Sequence, residues 1–441
     1  MKADSWLAGI TVAALVFCHQ ANAQLSFAPS ISLTNGTFVR SVTAADVNKD
    51  GKPDLVCVRG NPSVLYVWTN SGSSLFVSNA SYTVGSFPYQ VIAADINNDS
   101  WPDLITANNS GKSVTVMTNN GVGGFVLAST LSQGSPSAPQ SVAAADFNGD
   151  GRQDLVCANS QSASFVVWTN SGGGILASNA SFSTGTPGLN VPKWVTTADV
   201  NNDGKPDIIG ACNNSGSYLN VWTNNGTGGF ASAPMPFISS GVLCVVASDL
   251  NGDGRPDLAL LTSQITVLTN NGSGGFAPSG SSPVGSSPYA VVAADVDGDG
   301  WMDLVTCNQG NNTLTVLTNN GTGIFGYNAT LNVGSGPEAL IAADVNLDGR
   351  VDLISGNWNI GTLTVLTNAA TFLPRLTLKR SGNAMVVSWP AIWVNWRLKR
   401  SSGLDSGDWI SFSGPIANDG TTKTVTNSLQ VENHFFRLSN P

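Results

Sequence analysis

Seven copies of one aspartate-rich pattern, D-x-[ND]-x-D-[GS]-x-x-D, divide most of this 441-residue chain into units of similar length. The copies begin at Asp46, Asp95, Asp146, Asp199, Asp249, Asp295 and Asp344. Their starting points lie 46 to 53 residues apart. A period of this size predicts an array in which each copy is one supersecondary unit and neighbouring units share a core.

Alternating apolar runs surround every copy, as the sixth shows. One run leads into Asp295, a second follows Asp303, a third ends at an Asn-Gly turn at Gly321, and a fourth begins at Phe325. Alternation predicts strands, and Asn-Gly is a strong hairpin signal. Each unit is therefore predicted to be a four-stranded antiparallel meander, and the fold an all-β, seven-bladed β-propeller.

The seventh unit lacks a fourth strand, because the chain changes character soon after Asn368. Residues 27–34 resemble the fourth strands of other units, although they precede the first aspartate-rich loop. We expect this segment to complete the last blade and so close the ring.

The aspartate-rich loops present oxygen-bearing side chains at positions 1, 3, 5 and 9, which a hard cation requires. Three Asp from each copy, with Asp297 in the sixth, make up 22 of the 28 acidic residues. Turns also use Asp, Asn and Gly, but turns alone would not gather carboxylates that repel one another. Calcium accepts six to eight oxygens at flexible geometry, whereas magnesium prefers a strict octahedron. An EF-hand would need a Glu at position 12 and flanking helices, so these loops form a different calcium site.

The segment Ala293–Val305, with Thr315–Phe325 behind it, resembles the FG-GAP or VCBS-type repeat of integrin α-subunit propellers and many secreted bacterial proteins. The resemblance covers about residues 25 to 370. It implies that the loop joining the first two strands of each blade holds structural calcium, up to seven ions in all. The implied side-chain ligands are Asp46, Asn48, Asp50, Asp54; Asp95, Asn97, Asp99, Asp103; Asp146, Asn148, Asp150, Asp154; Asp199, Asn201, Asp203, Asp207; Asp249, Asn251, Asp253, Asp257; Asp295, Asp297, Asp299, Asp303; and Asp344, Asn346, Asp348, Asp352.

The second loop departs from the pattern, since Ser100 replaces the glycine found at position 6 of the other copies. If that position needs a positive φ, serine costs about 1 kcal/mol there. We expect this calcium site to be the weakest.

Three segments are predicted: a signal peptide at 1–23, the propeller at 24–370 and a C-terminal β-sandwich module at 371–441. An apolar run and Ala21-Asn-Ala23 precede Gln24, as in secretory leaders, which predicts a secreted or cell-surface protein. No later run is long and apolar enough to cross a membrane. The terminal module resembles fibronectin-like units of secreted bacterial proteins. The propeller segment carries a net charge of −13, which disfavours nucleic acid.

The scarcity of histidine and of acidic residues outside the aspartate-rich loops disfavours catalysis. The mature chain holds a single histidine, His434, and Glu338 is the one acid of residues 24–370 outside the loops. Histidine triads and paired-carboxylate glycosidases are thereby excluded from the propeller. A polysaccharide lyase that uses Tyr89, Tyr289, Lys193 or Arg40 remains an alternative.

Binding residues are expected on the face opposite the calcium loops. The candidates are Tyr89, Trp194, Tyr289 and Trp358, because aromatic rings among amides suit a glycan or protein surface, although ordinary solvated loops also carry such residues. The sequence predicts a monomeric, non-catalytic adhesion or recognition module for an extracellular protein or glycan. A lectin-like carbohydrate binder is the second alternative.

Overall fold

The computed structural model describes residues 25–441 with short gaps. The gaps are residues 29, 35, 37, 73–74, 134–136, 185–190, 214–217, 234, 236–240, 371–376, 382–383, 391–396, 402–409, 419–421, 429–434 and 440–441. Residues 1–23, predicted as a signal peptide, lie outside the described residues. Nowhere in the described part does a helix reach the length and hydropathy needed to span a membrane.

Each aspartate-rich copy lies in its own four-stranded antiparallel sheet, and we number the seven blades by their loops. The first strands are β2 Val39–Ala45, β6 Pro88–Ala94, β10 Pro139–Ala145, β14 Val191–Ala198, β18 Cys244–Ser248, β22 Pro288–Ala294 and β26 Pro337–Ala343. The second strands are β3 Asp54–Arg59, β7 Asp103–Asn108, β11 Asp154–Asn159, β15 Asp207–Asn213, β19 Asp257–Leu261, β23 Asp303–Asn308 and β27 Asp352–Asn357.

The outer half of blades one to six is a hairpin. The third strands are β4 Val64–Asn70, β8 Ser113–Asn119, β12 Ser164–Asn170, β16 Tyr218–Asn224, β20 Gln264–Asn270, β24 Thr313–Asn319 and β28 Thr362–Leu366. The fourth strands are β5 Phe76–Thr83, β9 Phe125–Ser132, β13 Leu176–Ser183, β17 Phe230–Ala233, β21 Phe276–Pro283 and β25 Phe325–Asn332. Second strands are almost wholly buried, whereas fourth strands are largely exposed, so burial falls from the inside of the blade outward.

The seventh blade is completed by the start of the chain, as predicted. Strand β1, Ile31–Thr34, pairs antiparallel with β28, so the order in this sheet is β1-β28-β27-β26. An isolated bridge between Phe27 and Asn368 extends the pairing. The first strands also contact one another in the order β2, β6, β10, β14, β18, β22, β26 and back to β2. The seven blades therefore form a closed ring around a central channel, which confirms the predicted propeller.

The apolar core is divided among the gaps between neighbouring blades. One cluster joins the second and third strands of blade one to the first and second strands of blade two and includes Val58, Leu65, Val91 and Leu104. Another joins blades seven and one and includes Leu33 of the closing strand. Because each blade buries its two faces against its neighbours, blades stabilise one another rather than folding as isolated sheets.

The chain divides into two compact units, with the propeller at Leu25–Ala369 and the terminal module from Ala370. In the module, β29 Thr377–Ser381, β30 Ala384–Pro390, β34 Thr422–Ser428 and β33 Ala417–Asn418 form one sheet. Strands β32 Ile410–Ser411, β31 Arg397–Ser401 and β35 Phe435–Ser439 form a second. The two sheets agree with an all-β module, and its fibronectin-like character stays a prediction.

Candidate functional site

The aspartate at position 1 of each loop anchors the turn that follows it. In the first loop, Asp46 Oδ1 accepts the N–H of Asp50 at 3.0 Å, and Oδ2 accepts that of Gly51 at 2.8 Å. All seven loops repeat this pair of hydrogen bonds. The backbone thus wraps around the position 1 carboxylate, and the N–H of Asp50 also donates to Asn48 Oδ1 at 3.0 Å, so the oxygens of positions 1 and 3 share one donor.

The aspartate at position 9 is fully buried at the start of each second strand. Asp54 accepts the N–H of Val47 at 3.1 Å through Oδ2 and that of Asn70 at 2.7 Å through Oδ1. Burial raises the pKa of this carboxyl in every blade, to about 6 for Asp352 and about 8 for Asp303. A buried carboxylate held by two N–H groups, or by three at Asp103 and Asp303, is costly, and a cation beside it would offset that cost.

The sixth loop is the densest carboxylate cluster. Oxygens of Asp295, Asp297 and Asp303 lie within 4.8 Å of one another, the one such group of three among the described residues. Burial, followed by repulsion from Asp299 and Asp295, raises the pKa of Asp297 to about 7. Oxygen ligands at this spacing suit a hard cation, so the residues present fit calcium.

An asparagine at the end of each third strand ties the loop of one blade to the next blade. The Asn119 side chain donates to the carbonyl of Val47 in the preceding blade at 2.8 Å and to Pro102 at 3.3 Å, while its Oδ1 accepts the N–H of Gly121 at 2.9 Å. The inter-blade bond recurs at Asn70, Asn170, Asn224, Asn270, Asn319 and Asn368. From the sequence these residues are predicted only as turn formers, and their regular occurrence two residues before Gly in six of the seven blades was the available signal.

The channel mouth lies at the opposite end of the first strands from the loops. There the ladder between first and second strands skips one first-strand residue, a β-bulge, in six of the seven blades. We call these residues the bulge positions: Arg40, Tyr89, Gln140, Lys193, Tyr289 and Glu338, with Leu243 equivalent in blade five. A bulge redirects the side chain it carries. All seven residues line one central cavity of about 580 Å³.

Arg40 is the centre of the contacts at this mouth. Its guanidinium forms an ion pair with Glu338 and donates to the Tyr289 hydroxyl at 2.7 Å and the Tyr89 hydroxyl at 3.3 Å. The same group stacks 4.3 Å from the Tyr89 ring centroid and 4.1 Å from that of Trp358. Its Nε is buried and has no acceptor among the described residues. Arg40 is therefore held rigidly, with one donor left over.

The remaining charged groups differ in their partners. Glu338 accepts from Gln309 as well as Arg40, while burial raises the pKa of its carboxyl. Burial also raises the pKa of Tyr289 above its usual range. Burial, and then the charge of Arg40, lowers the pKa of Lys193. No hydrogen bond or ion pair joins the Lys193 ammonium to the described part of the chain.

The structure brings the four predicted ligand-face residues to this mouth. Tyr89, Trp194 and Tyr289 line the cavity, and Trp358 packs on Arg40. Gln140 and Leu243 were not singled out from the sequence. Aligning the seven units on the last residue of each first strand would have identified them.

This geometry defines a class of protein, the seven-bladed propeller with an aspartate-rich loop in every blade. The family model for the FG-GAP-like repeat matches residues 7–57, 46–106, 95–157, 146–210, 199–260, 249–306 and 295–355. The chain belongs to the FG-GAP-like repeat family, which confirms the resemblance seen in the sequence. Curated proteins yielded no match.

Two solved structures show the same fold at low sequence identity. The chain is similar to BBS1N in its crystal structure in complex with ARL6DN, soaked with mercury, at 12% identity and a TM-score of 0.56, over 78% of this chain and 97% of that chain. It is also similar to selenomethionine-substituted virginiamycin B lyase from Staphylococcus aureus, at 13% identity and a TM-score of 0.54, over 78% of this chain and 99% of that chain.

Proposed function

We propose that this protein is a secreted, calcium-braced propeller that acts as a non-catalytic recognition or adhesion module. The observation that carries the proposal is a difference between the two faces. On the loop face, the seven units repeat one hydrogen-bond scheme almost without change. At the channel mouth, equivalent positions hold unlike side chains. Repetition suits a structural role, and variation suits a site built for one ligand.

Calcium would be held by positions 1, 3, 5 and 9 of each loop, the sets that begin at Asp46, Asp95, Asp146, Asp199, Asp249, Asp295 and Asp344. When bound, it would neutralise carboxylates that otherwise repel one another. Export supports this role, because extracellular calcium modules bind at roughly 10⁻⁴ to 10⁻³ M. The predicted leader at residues 1–23 is the basis for export.

A calorimetric calcium titration of the full chain, with thermal melts in calcium and in chelator, tests the metal assignment. We expect uptake of up to seven ions and a higher melting temperature in calcium, since the ion binds only the folded loops. Asp295→Asn, which removes the position 1 carboxylate of the sixth loop, should lower the uptake by one ion. Asp297→Asn is the matched control, because it gives that loop the Asn found in the other six and should keep the ion. If the melting temperature is the same in chelator as in calcium, the calcium assignment is wrong.

A polysaccharide lyase is the catalytic alternative, and one observation favours it. Arg40, Tyr89, Lys193 and Tyr289 meet at one cavity. Two features favour binding instead. The raised pKa of Tyr289 disfavours the phenolate that a tyrosine base needs, and Glu338 is held by Arg40 and Gln309. One structural neighbour was solved with a partner protein and the other is named a lyase, so the fold accommodates both uses.

A further inference from the structure

The seven bulge positions are where this chain departs from its own repeat. Three residues before the end of each first strand, six units have Val and the seventh has Leu340. At the bulge positions, two residues earlier, the same units have Arg, Tyr, Gln, Lys, Leu, Tyr and Glu. A position that accepts residues this different is not dictated by blade packing. The residue types at the seven bulge positions can therefore be matched to a ligand in the channel.

The charge balance of the cavity is opposite to that of the propeller around it. Arg40 and Lys193 contribute two positive charges against the one negative charge of Glu338, whereas the segment 24–370 carries −13. The Glu338 carboxylate is already engaged by Arg40 and Gln309. The Lys193 ammonium has no such partner among the described residues, and the buried Arg40 Nε likewise lacks an acceptor. Half-burial removes part of the water around the Lys193 ammonium, and an arriving anion would supply the charge-assisted hydrogen bond that it lacks.

The walls of the cavity show what else the ligand carries. Trp194, Tyr89 and Tyr289 supply aromatic surface, and Gln140 and Asn213 supply amides. Aromatic faces take the C–H side of a sugar ring, and amides and phenols pair with hydroxyl groups. A cavity of about 580 Å³ lies within the range of small-ligand sites.

We propose that the channel mouth binds the end of an acidic saccharide, with the uronate carboxylate between Lys193 and Arg40 and a sugar ring against Trp194 and the two tyrosines. This inference rests on the proposed recognition function and names its ligand class. The ion pair with Glu338 holds the Arg40 guanidinium in place, and Lys193 supplies the charge that the carboxylate neutralises.

Calorimetry on the full chain in calcium-containing buffer tests the site, with trigalacturonate as the acidic probe and a neutral galactose trisaccharide as its counterpart. We expect the acidic probe to bind at least about tenfold more tightly, which is the usual worth of a charged hydrogen bond. Lys193→Gln should lose about that factor for the acidic probe and little for the neutral one. Its melting temperature should not fall, because the half-buried Lys193 ammonium has no hydrogen bond or ion pair to lose among the described residues. Lys112→Gln, on the same face but outside the cavity, is the matched control and should bind like the unmodified chain.

Several outcomes would overturn the inference. Equal binding of the two trisaccharides, or no effect of Lys193→Gln, would refute the proposed carboxylate site. Equal binding of an oligoglutamate peptide of the same charge would make the site one for acidic peptides. If neither sugar binds but a glycan or protein array reveals another ligand, the saccharide is wrong and the recognition function stands. No binding to either array would overturn both. Unsaturated product formed from trigalacturonate would support the site and refute its non-catalytic use.

Discussion

Replacing Asn119 with alanine tests whether the repeated asparagine is a joint between blades or only part of a turn. The residue is 5% exposed, and its side chain forms three hydrogen bonds. The bond to Val47 crosses from blade two to blade one, and the bonds to Pro102 and Gly121 stay within blade two. Alanine removes all three at once.

The expected loss of unfolding free energy in Asn119→Ala follows from the polar groups that lose their hydrogen-bond partner. The Val47 carbonyl is buried at this contact, and an orphaned buried acceptor costs about 1–3 kcal/mol. The bonds to Pro102 and Gly121 are partly buried and contribute about 1 kcal/mol each. The free energy of unfolding should therefore fall by about 3–5 kcal/mol. Asn119→Asp should cost at least as much, because it places an oxygen against two carbonyl oxygens.

The next residue in the same turn is a natural control. Asn120 is exposed, and among the described residues its Oδ1 accepts from the N–H groups of Val122 and Gly124 alone. Water can replace those bonds, so Asn120→Ala should cost less than about 1 kcal/mol. Equilibrium urea unfolding at one calcium concentration measures both variants. If the two losses agree within about 1 kcal/mol, the inter-blade bond is not a significant support of the ring.

Two further substitutions test local features of the fold. Ser100 has a φ of 68°, so Ser100→Gly should raise the free energy of unfolding by about 0.5–1 kcal/mol, measured in thermal melts. Ser110→Gly is the control: its position has no positive φ, so it should give no gain in stability. Leu33 is 7% exposed in the closing strand, so Leu33→Ala should cost about 2–4 kcal/mol in urea unfolding. Ile31→Ala, at a residue of the same strand that is 38% exposed, should cost less than about 1 kcal/mol, and equal losses would contradict the ring closure.

The propeller could be predicted from the sequence because its information is local and repeated. The pattern around each loop marks the end of the first strand and the start of the second, and the Asn-Gly turns mark the end of the third. Ring closure by residues 27–34 was predictable because the seventh unit lacks a fourth strand that the start of the chain supplies.

The channel mouth could be predicted only in part. Tyr89, Trp194, Tyr289 and Trp358 were identified from loop position and aromatic character. Their grouping around Arg40 depends on contacts between blades far apart in the chain: Arg40 and Glu338 are separated by 298 residues. The bulges that direct these side chains arise where first and second strands pair. In five of the six, proline directly precedes the bulge position, a local signal that shows where the bulge lies but not which side chains meet across the channel.

The two ends of each first strand show why such a site could arise without loss of stability. At one end, the position 9 aspartate and the third-strand asparagine fix the loop and the neighbouring blade through buried hydrogen bonds. A change there leaves buried polar groups unpaired. At the other end, the bulge residue lies outside the ladder, so a change there breaks no backbone pairing. Apart from the Arg40–Glu338 pair, substitutions at the bulge positions should therefore alter ligand binding more than stability, and substitutions in the loops should do the reverse.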